Sequence, residues 1–167
     1  MSPTVRTGVL IGVLCTVWMF VMGFTGWYRH PTLNFLFFLV ILVEVALLLQ
    51  GLKQTASGNT YGQQVVTGVV MSAIAAVIIF CGSMVFTTVA FPDYFREIEE
   101  AGRQAMQARG MTPDAIDAAI AAQRPMQTSV INAAIGAVAT VVTGLLASLL
   151  IAMRYRKGRP APPAATT

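Results

Sequence analysis

Tyr61 to Phe91 reads YGQQVVTGVVMSAIAAVIIFCGSMVFTTVAF, and no aspartate, glutamate, lysine or arginine interrupts it. At about 1.5 Å of rise per residue, a helix over this stretch is longer than the ~30 Å hydrocarbon layer of a bilayer, so it is predicted to span with tilt or to project beyond it. Outward from this run lie three more apolar stretches of spanning length, Thr7–Tyr28, Pro31–Leu52 and Met126–Met153. The chain of 167 residues is 56% hydrophobic and 11% charged, where a soluble domain carries about 25% charged residues. What lies between the four stretches is too little to build a sizeable water-soluble catalytic domain. The expected fold is therefore all-α: a four-helix transmembrane bundle over 1–159, with spans near 7–28, 31–52, 61–91 and 126–153. A Pro/Ala tail over 160–167 cannot bury enough surface to order itself.

The first stretch is expected to be a retained helix, because it is longer than the apolar core of a cleavable signal and has no Ala-x-Ala cut after it. Trp27, Tyr28, Arg29, His30 and Pro31 combine interfacial aromatics, charge and a helix breaker at a membrane edge, which forces the first two helices into a tight hairpin. Between the third and fourth stretches, 92–125 is predicted to form a helical hairpin outside the membrane. Phe95, Ile98, Ala101, Ala105 and Met106 recur at helical spacing, with Gly110 as the stop. Thr112 and Pro113 open a second helix carrying Ile116, Ala119 and Ile120 on one face. Within the hairpin, Arg96 and Arg103 are expected to pair with Glu99 on the same helix, as a solvated face.

Lipid gives helices no hydrophobic reason to associate, so close contact has to come from small side chains. Asn132, Gly136, Thr140, Gly144, Ser148 and Ala152 stand at four-residue steps in the last stretch, which places them on one slowly drifting face. The third stretch offers Gly68, Ser72 and Ala76, and the first Gly8 and Gly12. These residues are expected to pack the last helix in the bundle centre, against the third. Glu44 is the one acidic or basic side chain inside an apolar stretch. An ionised, unpaired carboxyl there is costly, so it should face the bundle and find a partner on another helix. Depth matching along antiparallel spans brings Thr16, Ser72, Thr140 and Thr143 roughly level with it. The resulting polar site reads either as a structural hydrogen-bonding group or as a proton-coupled one.

No metal or cofactor is expected, since there is a single histidine, His30, and both thiols, Cys15 and Cys81, sit in apolar stretches. The chain has no phosphate-cradling glycine loop, no nucleophile elbow and no His-Glu-x-x-His pattern, and 92–125 holds no Ser, Cys or His, so no enzyme is expected. Arg154, Arg156, Lys157 and Arg159 follow the last helix with no acid among them. A cluster of this kind suits anionic lipid rather than nucleic acid, which would ask for interleaved aromatics or a recognised fold. With four spans the termini share a side carrying six basic residues against five on the other. The compact tail favours that side as cytoplasmic.

Thr60-Tyr61-Gly62-Gln63 opening the long third stretch, Phe91-Pro92-Asp93-Tyr94-Phe95 leaving it, and Arg109-Gly110-Met111-Thr112-Pro113-Asp114 between the two outer helices form an ordered series. In this order the chain resembles the bacterial membrane family labelled domain of unknown function 4199, most closely from Gly58 to Arg124. The resemblance implies a four-helix protein of the bacterial inner membrane and no catalytic residue. The alanine-rich outer hairpin and the Pro/Ala tail depart from more charged versions of the family. The functional expectation is a non-enzymatic structural or accessory subunit of a membrane assembly, partnered by lipid and by other membrane proteins or further copies of itself. The alternative is a proton-coupled small-molecule transporter acting as an oligomer through Glu44. In outline it is similar to the small multidrug resistance proteins, although here the acid lies on the second helix and a hairpin is inserted before the fourth.

Overall fold

A computed structural model describes residues 1–30, 32–56 and 59–156. Among them there is no strand, and four helices are long and apolar enough to cross a membrane. The spans are α1 (Pro3–Thr25), α2 (Leu39–Thr55), α3 (Tyr61–Val85) and α6 (Ser129–Arg156). The outer hairpin is α4 (Tyr94–Ala108) and α5 (Pro113–Gln123). Pro31, Lys157, Arg159 and the 160–167 tail lie outside the described residues.

Local chemistry sets the ends of these helices. Pro3 occupies the first turn of α1, where a missing N–H costs nothing, and the Ser2 hydroxyl accepts from the Val5 amide, so α1 starts four residues earlier than its apolar pattern suggests. It stops at Gly26, whose φ of +68° is the left-handed conformation that closes a helix end. The second span does not begin as an α-helix: Leu33–Phe38 is a 3₁₀ helix that runs into α2. The Trp18 indole N–H donates to the Leu36 carbonyl at 3.1 Å, tying this narrower turn to α1. α3 opens on a capping box, in which the Thr60 hydroxyl accepts from the Gln63 amide while the Gln63 side chain accepts from the Thr60 amide. It ends in a π turn, Phe86–Ala90. There the Thr87 and Thr88 hydroxyls donate to the Ser83 and Met84 carbonyls one turn back.

The central helix is α3, a correction to the expectation that the last helix takes that place. α3 packs on α1, α2 and α6, and its most extensive contact is with α6, whereas α6 meets chiefly α3 and α2. α3 can serve three neighbours because it is small on more than one side. Gly68 and Ser72 face α6, while Ala75 and Gly82 receive Gly12 and Thr16 of α1. Ile11, Cys15, Leu48, Leu52, Met71 and Ala75 fill the space between the helices. Leu42, Val66, Val77, Val138 and Leu150 point outward, as lipid-facing side chains do.

The outer hairpin has the predicted two helices, with Gly110 at φ +75° between them. Thr112 precedes α5 without a side-chain cap bond. The expected pairs within α4 are not made. Arg103 instead reaches Asp117 at 2.8 Å and Arg124 reaches Glu99 at 2.9 Å, both across the hairpin, while Arg96 turns back to Asp93 at 3.0 Å. Packing α4 against α5 brings these acids closer to the arginines than the helix's own spacing does.

Candidate functional site

Two polar regions lie along the α3–α6 seam. The inner one is built on glycine. At Gly144 a Cβ would collide with the Ser72 side chain and stand 3.4 Å from Glu44 Oε1. At Gly68 a Cβ would collide with the Ser148 side chain. Each helix thus inserts a serine into a hollow that the other makes by lacking a side chain. Glu44 of α2 is 2% exposed, and the Ser72 hydroxyl donates to its Oε1 at 3.5 Å. The required partner does come from another helix. Ser148 Oγ is buried without a hydrogen-bond partner among the described residues.

Of the four hydroxyls placed level with Glu44 from the sequence, the structure brings only Ser72 to it. Thr140 is buried but donates to the Gly136 carbonyl of its own helix at 3.0 Å. Thr143 is half-buried and makes no side-chain hydrogen bond to the described residues. Thr16 faces Gly82, well beyond Ser72 along α3, and its Oγ1 is buried without a partner among the described residues. Thr16 misses Glu44 because its side chain is turned toward Gly82 of α3 and not toward α2. Ala76 and Ala152 are buried, and Ser148 is fully so. Gly136 departs from its series. The nearest atom to a Cβ placed on it is Ile79 Cγ2 at 3.9 Å, an ordinary van der Waals contact, so the seam is looser here than at Gly68 and Gly144.

The outer region starts at this looser point. Asn132 Nδ2 donates to Ser83 Oγ at 3.4 Å across the seam. Around them is a cavity of about 350 Å³, walled by α1, α3 and α6, with Tyr94 and Ile98 of the outer hairpin above it. The hairpin is clamped to the bundle by Glu97. Its carboxylate accepts from the Tyr28 hydroxyl and takes a two-pronged ion pair from Arg29, at 3.1 and 2.9 Å. Tyr28 is buried, and its ring packs on Tyr94 with centroids 5.1 Å apart, beside Phe86 and Phe91 at 4.6 Å from one another. Burial pushes the Tyr94 phenol up to about 12, with a smaller push from Tyr28. Burial likewise raises Tyr28, helped by its bond to Glu97. Both phenols are neutral hydrogen-bonding groups at physiological pH.

Sequence reasoning assigned no role to Glu97, whose partner lies far away in the chain. Gln64 was missed too. Its buried amide donates to the Leu52 carbonyl at 3.4 Å and its Oε1 accepts from Thr55 at 3.3 Å, which locks the end of α2 to the start of α3. The signal available was a glutamine one turn inside an otherwise apolar run. No group of three or more His, Cys, Asp or Glu side chains stands close enough to hold a metal ion among the described residues.

A four-helix bundle of membrane-spanning length, with a buried acid and a clamped outer hairpin, defines the class: a small polytopic membrane protein. Within that class, the chain belongs to the family described as "Protein of unknown function (DUF4199)", whose family model matches residues 6–157. No curated protein and no solved structure matches it.

Proposed function

We propose that this chain is a non-enzymatic accessory subunit of the bacterial inner membrane, a rigid four-helix body that holds its outer hairpin in a fixed place for a membrane partner or a further copy of itself. The observation that carries the reading is the closed inner seam, where Ser72 fills the Gly144 hollow and ties Glu44 of α2 to α3. In this role the carboxyl is a structural hydrogen-bonding group between helices. The clamp of Tyr28 and Arg29 on Glu97 supports the same reading, because it fixes the hairpin's base while most of its charged surface faces water.

In this reading the termini face the cytoplasm, and the basic cluster of Arg154, Arg156, Lys157 and Arg159 attracts anionic lipid. Four of the five arginines on the opposite side are engaged by carboxylates, which leaves the terminal end as the attractive one for anionic headgroups. Extraction in mild detergent, followed by identification of what travels with the chain, tests the assignment. A stoichiometric membrane partner or a stable homo-oligomer is expected, and a chain that elutes alone as a monomer overturns it.

The depth of Glu44 favours one second reading, a proton-coupled transporter. In purified protein, substrate-driven proton release that Glu44→Gln abolishes would establish it. No release, or release indifferent to that change, removes it.

A further inference from the structure

The cavity at the outer end of the α3–α6 seam has the size of a small-molecule site, about 350 Å³. Its polarity is graded along the seam. Asn132 lies in the first turn of α6 and Ser83 in the last turn of α3, so their side chains stand toward the hairpin end of the seam. Tyr28 and Tyr94 stand on the same polar side. Ile79, Gly136 and Ala139 line the end toward the bilayer centre, deeper by one to two helical turns, about 6 to 10 Å.

Hydrogen-bonding capacity at the polar end is unused. Ser83 is 4% exposed and accepts from Asn132, yet its hydroxyl donates to no acceptor among the described residues. Asn132 Oδ1 and the Tyr94 hydroxyl likewise have no protein partner there. Among the described residues no charged side chain lines the cavity. Arg29, next in the chain to the lining residue Tyr28, is held by Glu97, and Tyr94, with its phenol raised to about 12 by burial, stays neutral. The sides are half open, since the rim residues Phe37 and Ile135 are 46% and 51% exposed. A ligand dissolved in the bilayer therefore reaches the cavity laterally.

We propose that this cavity binds an uncharged membrane amphiphile, its carbonyl or hydroxyl head on Ser83 and Asn132 and its apolar body along Ile79, Gly136 and Ala139. The width comes from Gly136: the same small-residue face that closes the seam at Gly144 leaves room here for a chain or a flat ring. An anionic head is disfavoured, because no free cation stands ready to offset its desolvation.

The experiment uses the full chain in detergent, with thermal shift and native mass spectrometry on four probes. Monoolein and a decyl-substituted benzoquinone are uncharged and carry carbonyls. Oleate and phosphatidylglycerol are anionic controls. At least one uncharged probe is expected to bind one per chain and raise Tm, while the anionic probes do not. Gly136→Leu, which fills the cavity, should abolish the adduct. Asn132→Ala and Ser83→Ala, which keep the cavity open, should each weaken binding about fivefold, the loss of one hydrogen bond. Failure of both uncharged probes overturns the proposal, as do equal binding of oleate and binding that survives all three substitutions. Should Gly136→Leu fail to fold, the two alanine variants decide alone. Oligomeric state and copurifying proteins are not read in this experiment, so its outcome is separate from that of the subunit assignment.

Discussion

The inner and outer halves of the α3–α6 seam are written in the same alphabet and come out differently. On the inner half, Gly68 receives Ser148 and Gly144 receives Ser72, and the backbones approach until no added Cβ fits. On the outer half a Cβ on Gly136 would meet Ile79 only at ordinary van der Waals distance, beside a cavity that the polar pair Asn132 and Ser83 bridges. A small residue permits close approach and does not by itself cause it. The helices meet closely where serines fill the hollows opposite, while toward the hairpin end Phe86, Phe91 and Tyr94 pack on one another.

The sharpest way to break this contrast is to put leucine at each glycine. Gly144→Leu should destabilise the bundle by about 3 kcal/mol through overpacking. Gly136→Leu should change stability by no more than about 1 kcal/mol, because its side chain enters existing space. Thermal unfolding in detergent measures both, and equal losses would mean that the seam is closed along its whole length. Next in size is Glu44→Ala, which removes the partner of Ser72 and opens a hole. A loss of about 2 kcal/mol is expected, against about 1 kcal/mol or less for Glu44→Gln, which retains shape and hydrogen bonding. If the glutamine variant unfolds as readily as the alanine one, the tie between α2 and α3 depends on the carboxyl itself.

A smaller effect sharpens the outer half. Tyr28→Phe removes the phenol bond to Glu97 and should loosen α4 by about 1 kcal/mol, seen as faster tryptic cleavage after the exposed Arg109 with the spans intact. Smallest at neutral pH is the contribution of Tyr94. Its phenol is raised to about 12 in the folded protein, so its stabilisation is fully present below pH 10, the usual phenol value, and is lost as pH rises through 12. Wild-type protein should therefore loosen its hairpin between pH 10 and 12, and Tyr94→Phe should flatten that limb. An identical alkaline profile in the two proteins would place Tyr94 in water.

Much of this architecture was legible in the chain. Long uncharged runs fixed the number of spans, since the bilayer imposes one length on every helix that crosses it. Gly110, Pro113 and the Thr60–Gln63 pair marked helix ends through chemistry contained within a few residues. Glu44 announced itself as a buried group needing a partner because a charge in hydrocarbon is so costly. The candidate site was legible only in part. Thr16, Ser72, Thr140 and Thr143 were equally eligible as that partner on depth, and rotation of each helix about its axis, which depth does not encode, selected Ser72. The arginine pairs were misassigned for a related reason, as the sequence displays spacing within α4 and not what α5 brings beside it.

By itself, then, the sequence determined what the solvent dictates: four helices in lipid, a charged hairpin outside and a buried acid that must be answered. Tertiary structure alone decided which helix stands at the centre, which glycines are filled and which one opens a cavity. Those outcomes depend on the shapes of side chains from helices far apart in the chain, and a helical repeat of small residues is equally compatible with contact and with a gap.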